Sequence, residues 1–475
     1  MKLTTDIFAT YRQIDVASVD ALLQEEIAKN TLKMVVLDDD PTGVQTVHDV
    51  SVFTNWDHDS LVQGFNETRN PMFYILTNSR GMTVAETTET HHAIAHAVDQ
   101  VAKELGRDYI FISRSDSTLR GHYPLETALL KADFEANTGR TIDGEILCPF
   151  FKEGGRFTID NVHYVKYGED LIPANETEFA KDQTFGYVSA TMPEYVEEKT
   201  KGQYKKEDVI CISLEDIHNM DFDAIETKLL AAHNFEKIVV NAIDYPDLKV
   251  FAVALYRAMR KGKLYSMRTA AALVKVIGGV TDIPLLTRQQ MVVNETANGG
   301  IIVVGSHTSK TTKQLECLKE LDEIRFIELD ATYVTDAEAF EKEVERCLRL
   351  EEEAICAGQT VCCYTTRTLL KAGTGNKEDE LKLSVKISDA VQSLVGRLSC
   401  TPAFVIAKGG ITSSDIGTKA LKVRYANALG QIKPGIPVWQ TGPESKFPLT
   451  PYVIFPGNVG DVSTLKEAVE VLLKI

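Results

Sequence analysis

Short apolar runs alternate with segments of helical period through the first half of the chain. Met34–Leu37, Met72–Leu76, Tyr109–Ile112, Ile146–Leu147, Val209–Ile212 and Ile238–Val240 each read as a strand. Between the second and third, Ile94, Val98, Val101 and Leu105 recur with the spacing of one buried helix face. Strands separated by helices need crossover connections, which predicts a largely parallel sheet. A second series follows: Ile301–Val304, Phe326–Leu329, Thr360–Tyr364, Ala403–Ala407 and Tyr452–Phe455. The helix leading into the Ala403 run carries Ile387, Val391, Leu394, Val395 and Leu398 on one face. The rhythm breaks between residues 150 and 208, a polar and aromatic stretch too long for an ordinary loop, which predicts an ordered excursion over the cleft. It breaks again before residue 300. The expected fold is α/β, with two domains, 1–284 and 285–475, each a largely parallel sheet flanked by helices, and the active site in the cleft between them.

Composition narrows this picture. At 475 residues the chain exceeds what one hydrophobic core supports, in keeping with two domains. The apolar and charged fractions, 44% and 25%, leave no room for extensive disorder. No run approaches the ~18 apolar residues of a membrane span, and the start lacks the apolar core of a signal peptide, so the chain reads as cytoplasmic. The eight cysteines are scattered, and Cys362-Cys363 gives no metal or redox spacing. A net charge of −17 argues against nucleic acid or an anionic membrane as partner. An anionic small molecule would have to be met by a few local arginines beside Gly and Ser/Thr-rich turns.

Such arginines stand at strand ends, where ligands of parallel sheets bind. The first strand ends in Asp38-Asp39-Asp40-Pro41-Thr42-Gly43. If the strand ran to residue 40, Asp38 and Asp40 would face one way and Asp39 the other. A carboxylate there can accept a hydroxyl proton or hold a cation; the plainer alternative is an Asx-type turn. The second strand leads to Asn78, Ser79 and Arg80. The third leads to Arg114-Ser115-Asp116-Ser117-Thr118-Leu119-Arg120-Gly121, where Asp116, Ser117 and Thr118 can cap the next helix and the arginines can grip a carboxylate. In the second half, Gly305-Ser306, Gly409-Gly410-Ile411-Thr412 and Gly457-Asn458 follow strands and suit phosphate oxygens, with Ser413 or Ser414 as a cap for the next helix. No Walker loop occurs. His91, His92 and His96 have helical spacing without an acid or cysteine partner, so a core or surface role is expected of them rather than a metal.

In this order the markers resemble the four-carbon acid sugar kinase family, formerly of unknown function, which includes threonate, erythronate and 3-oxo-tetronate kinases. The resemblance spans almost the whole chain, with Pro41 and Arg114 where the family often has Phe and Lys. It implies an N-terminal acid-sugar-binding domain and a C-terminal nucleotide-binding domain, with ATP phosphorylating a hydroxyl of a four-carbon sugar acid. The expected base is Asp39, Asp40 or Asp116. Substrate contacts are expected from Thr42, Gly43, Asn78, Ser79, Arg80, Arg114, Ser117, Thr118, Arg120 and Gly121, with Arg156, His163 and Glu176-Thr177-Glu178 helping selection. Ser306, Gly409, Gly410, Ile411, Thr412 and Gly457 are expected at ATP, with Mg2+ bridging its phosphates and no metal-ligating residue assigned. Two rivals share these motifs: a nucleotide-gated sugar-acid sensor without transfer, and a metal site formed by the aspartates. The identity of the acid, the hydroxyl and any homo-oligomer stay open.

Overall fold

The computed structural model describes residues 3–367, 377–457 and 459–473, without the side chains of 377–382. The chain packs as two compact units, Met1–Gly43 with Asn55–Asp282, and Val44–Thr54 with Ile283–Ile475. The segment 44–54 thus leaves the first unit immediately after the aspartate loop and returns eleven residues later.

In the first unit, among the described residues, parallel strands run in the order Ile210–Ile212, Glu236–Val240, Gly144–Cys148, Tyr265–Thr269, Tyr109–Arg114, Lys33–Asp38, Met72–Leu76. Helices cover parallel strands on both faces, so strands such as Met72–Leu76 are apolar throughout and fully buried. The helix Val84–Leu105 starts at a Thr83/Glu86 capping box and stops at Gly106, whose φ of 59° suits a residue without Cβ. Its buried face holds Ile94, Val98 and Val101, the positions marked by the sequence period. Residues 156–173 form three antiparallel strands, Arg156–Ile159, Val162–Tyr167 and Asp170–Pro173, edged by Leu3–Thr4. The polar segment is therefore ordered, in strands too short for their period to show in sequence.

The second unit departs from the largely parallel sheet expected of it. Its order is Val50–Phe53, Tyr425–Lys433, Ile436–Thr441, Pro451–Phe455, Val405–Lys408, Ile301–Val304, Thr360–Thr365, Ile324–Leu329. The last four junctions are parallel, but the first three are antiparallel. The cause is a hairpin turning at Pro434-Gly435, whose long first strand alternates buried and half-buried residues. Val50–Phe53 adds to its outer edge. On one face of this sheet Val304, Ile406 and Phe455 pack with Leu315 of the helix Ser309–Leu318 and Leu465 of the helix Thr464–Leu473. Among the described residues no helix is long and apolar enough to cross a membrane.

Candidate active site

Three strands of the first unit end in register, Asp38 opposite both Leu76 and Arg114. Beyond them the backbone stays tied: Asp39 N–H donates to Arg114 C=O (3.3 Å), Thr77 N–H to Asp38 C=O (2.9 Å) and Arg80 N–H to Asp39 C=O (3.3 Å). The loops after these strands are thereby gathered at one place.

The first strand stops at Asp38, so the two-residue alternation does not govern the aspartates. Asp39 and Asp40 instead converge on one guanidinium. Arg80 donates to both oxygens of Asp39 (2.5 and 3.2 Å) and to Asp40 Oδ2 (3.2 Å). Asp39 also accepts from Ser115 Oγ at 2.5 Å, and Asp40 Oδ1 accepts from Thr42 N–H and Oγ (2.9 and 2.6 Å). Asp38 turns the other way and pairs with Arg114, 3.2 Å away. Gly43 closes over Asp38: a methyl there would fall 1.6 Å from a carboxylate oxygen, so only glycine allows this loop. Both Asp38 and Arg114 are buried, which sets Arg114 among the supports of the loop rather than at its surface.

Asp116 does not cap a helix, because the next one begins only at Leu125, with Pro124 at its N-cap. Its Oδ2 accepts from Thr118 N–H (3.3 Å), from the Thr118 hydroxyl and from Arg120 Nε (2.8 Å), an Asx-type turn closed by a guanidinium. Its Oδ1 accepts no hydrogen bond from any described residue. Asp116 is one of the residues lining a cavity of about 10 Å³, room for a single water, together with Leu119, Leu147, Met192, Tyr195 and Arg268.

Charge differs sharply across these carboxylates. Burial works to raise Asp116, but Arg80 and then Arg120 outweigh it and hold it well below the carboxylate range. Burial likewise opposes ionisation of Asp40, and Arg80 with the Thr42 hydrogen bonds overcomes it. For Asp38 burial wins over Arg114, and the carboxyl is pushed up to about 7. Asp38 is then neutral in the fold and ionised in the unfolded chain between pH about 4 and about 7, so the folded state holds the extra proton. Stability should fall as pH rises through that window and level off above it. Urea unfolding of the wild type and Asp38→Asn checks this: the variant should lose that downward slope.

The ordered excursion clamps the Asp116 loop from behind. Tyr187 and Tyr195 hydroxyls donate to Thr118 and Leu119 carbonyls (3.1 and 2.9 Å), and His163 Nε2 meets Ser117 C=O at 2.7 Å. Burial pushes His163 down to about 4, so it meets that carbonyl as a neutral ring. Arg120 and Arg156 lie 5.2 and 5.4 Å over the same Phe179 ring. Arg156 is half-buried, its Nε meets no hydrogen-bond acceptor, and no described carboxylate pairs with it. Thr177 turns to Ala174 C=O, and Glu178 accepts from Tyr167.

One pair of supports was not evident from sequence. Arg268, on Tyr265–Thr269, forms a buried ion pair with Glu126 and donates to Arg120 C=O at 3.2 Å. Ser79 is wholly buried and donates to the same Glu126 (2.6 Å), a role in holding the loop from beneath. Gly121 has φ of 117° and no room for a Cβ between Arg268 and Ser115. Asn78, with φ of 56°, turns the chain into the Arg80 segment. His91 is a core residue on Thr87 C=O, and His92 pairs with Asp133 at the surface. Among the described residues no cluster of three or more His, Cys, Asp or Glu is placed to hold a metal ion.

In the second unit Val304 pairs with Lys408 and Lys408 with Phe455, so the Gly305, Gly409 and Pro456-Gly457 turns emerge side by side. A Cβ on Gly305 would lie 2.3 Å from Thr412 Oγ, and one on Gly409 3.1 Å from Ser306 Cβ. The turns containing Ser306, Gly409 and Thr412 are thus in direct contact. Gly410 opens the short helix Gly410–Asp415, so Ser413 lies inside it rather than capping it and donates to Ala407 C=O. Ile411 is 75% exposed. Asn458 lies outside the described residues.

Residues 34–277 match the family model of the sugar-binding N-terminal domain, and residues 301–465 that of the nucleotide-binding C-terminal domain. No curated protein matches the chain. Among solved structures, a Haemophilus influenzae protein of DUF1537 is 18% identical over 92% of this chain and 100% of its own, with a TM-score of 0.60. A protein described as a putative tRNA synthase from Salmonella typhimurium LT2 is 15% identical over 92% of this chain and 98% of its own, with a TM-score of 0.67. At such identities the likeness speaks for the fold.

Proposed function

This chain belongs to the family that joins a sugar-binding N-terminal domain to a nucleotide-binding C-terminal domain, the four-carbon acid sugar kinase (DUF1537) family, and from that membership we propose that it uses ATP to phosphorylate a hydroxyl of a four-carbon sugar acid. The observation that carries the reading is Asp116, which keeps Oδ1 unshared while Arg80 and Arg120 hold it ionised. Of the expected bases it is the one with an oxygen left for substrate, since both oxygens of Asp39 and Asp40 are engaged.

Phosphoryl transfer asks a protein mainly to position groups and offset charge. Asp116 Oδ1 accepts the hydrogen bond of the attacking hydroxyl and takes its proton as the oxygen–phosphorus bond forms. Its low proton affinity fits a late proton transfer, with the hydroxyl aligned beforehand. Arg156 and Arg120 receive the sugar carboxylate, for which a planar guanidinium is geometrically suited. Arg80 helps keep Asp40 and Asp116 ionised, and Thr42 and Gly43 hold Asp40 and Asp38 in place. Ser117, Thr118, Asn78 and Gly121 shape the backbone around them.

In the second unit the contacting Ser306, Gly409 and Thr412 turns, with Gly410 and Gly457 beside them, suit phosphate oxygens, and exposed Ile411 offers apolar surface to a base. The aspartates of the first unit are engaged by arginine, so no protein-held Mg2+ is assigned; a cation that arrives with the polyphosphate is part of the substrate. A screen of four-carbon sugar acids and their 3-oxo forms, read as acid-dependent ADP release, tests the proposal. One acid should raise ADP release well above the ATP-only background. Tight ATP and acid binding without any release would instead favour a nucleotide-gated sensor.

A further inference from the structure

Lys408 ends the central strand of the second unit with no exposed surface. Its ammonium lies 2.6 Å from Pro456 C=O and 4.3 Å over the Phe455 ring, and among the described residues no carboxylate pairs with it. An ammonium buried against one carbonyl and one ring keeps donors unused, which is costly unless an anion completes the set. Its face of the sheet is the one covered by the helix Ser309–Leu318, since Ile406, two residues back, packs with Leu315. Lys310, in the first turn of that helix, is the charge that reaches it, and it is also positive. The helix and the loop after Pro456 are joined by Gln314, which donates to Val459 and Asp461 carbonyls (3.2 and 2.8 Å).

A second cation borders the same turns. Arg367, after the neighbouring strand, donates from Nη2 to Ser306 C=O (2.6 Å) and to the Thr312 hydroxyl (2.9 Å). Its Nε and Nη1 are buried and meet no acceptor. His307 beside it turns to Thr366 C=O. Three positive side chains, Lys310, Arg367 and Lys408, thus surround the start of one helix in a chain of net charge −17. Unused donors on Arg367 and Lys408 beside a helix start have the chemistry of a phosphate site.

We propose that Lys408 and Arg367 are the cationic contacts of the nucleotide polyphosphate, Lys408 exchanging the Pro456 carbonyl for a phosphate oxygen. This rests on the nucleotide reading of the second unit and names residues that reading did not include. Burial, with Lys310 adding to it, pushes the free Lys408 down to about 7, and a bound polyphosphate would draw the proton back.

The test is calorimetric titration of the full chain with ADP and with adenosine, for the wild type, Lys408→Met and Arg367→Gln, with circular dichroism to confirm folding. Each variant should weaken ADP by about 10- to 100-fold, the effect of losing a charged hydrogen bond, and leave adenosine unchanged. The wild type should also lose ADP affinity relative to Lys408→Met as pH is raised from about 7 to 9. Should Lys408→Met fail to fold, Arg367→Gln and the wild-type pH profile decide the matter. ADP affinity within twofold of wild type in the folded variants would overturn the proposal, as would equal losses for ADP and adenosine. A wild type that binds neither ligand would instead overturn the nucleotide reading itself.

Discussion

Asp116→Asn is expected to lower turnover by about 10²–10⁴, the usual contribution of a positioned base, while nucleotide affinity stays within twofold. The asparagine keeps size and shape, and its amide oxygen can still accept from Thr118 and Arg120, as Asp116 Oδ2 does. What is lost is an oxygen able to take a proton from the substrate. Steady-state kinetics with the acid found by screening separates the outcomes. A fall in kcat with little change in KM for ATP supports the role given to Asp116. If Asp116→Asn turns over normally and Asp39→Asn or Asp40→Asn is crippled, the base lies on the aspartate loop instead.

Arg80→Met should have the larger structural consequence. Arg80 is the shared counter-ion of Asp39 and Asp40 and the strongest charge acting to keep Asp116 ionised. Removing one partner of a buried ion pair typically costs about 3–5 kcal/mol, because the other charge stays behind unpaired. Here two paired carboxylates would be left, beside a third that has lost its main field. The proton affinities of Asp40 and Asp116 should rise, so the variant should be least impaired in stability at acid pH, where protonation relieves the repulsion. The wild type should behave oppositely for these groups. Asp40 and Asp116 have folded-state values below their unfolded ones, so their contribution is full above pH about 4 and is lost as pH falls through the folded values. Urea denaturation of both proteins from pH about 2 to about 8 compares the two profiles. Equal destabilisation at every pH would show that Arg80 acts through packing alone.

The positions of these groups were legible in sequence wherever an apolar run met a polar one. Met72–Leu76 followed by Asn78 and Arg80 reads directly, as does Tyr109 onward to Asp116, since parallel strands are apolar throughout and their loops are not. Side-chain direction was less accessible. Asp38, Asp39 and Asp40 look equivalent in a row, and only the end of the strand at Asp38 sends one carboxylate to Arg114 and two to Arg80. Asp116 has the residue type and spacing of a helix cap, yet Pro124 delays the helix to Leu125 and leaves an Asx turn. Arg268 was hidden because its strand reads Tyr-Ser-Met-Arg-Thr, with a polar residue at every second place although all are buried. Arg367 and Lys408 gave no signal beyond being cations near a turn, because burial is a property of the packed sheet. The hairpin from Tyr425 is hidden in sequence because its half-buried alternation holds no continuous apolar run.

Phosphoryl transfer to a sugar acid can be followed through the γ-phosphate of ATP. With γ-labelled ATP and the acid selected by screening, wild-type protein should place the label on the acid, one for each ADP released, and Asp116→Asn should slow that transfer by the factor given above. Label recovered only as inorganic phosphate, or kept on ATP while both ligands are bound, would rule out phosphoryl transfer to the acid.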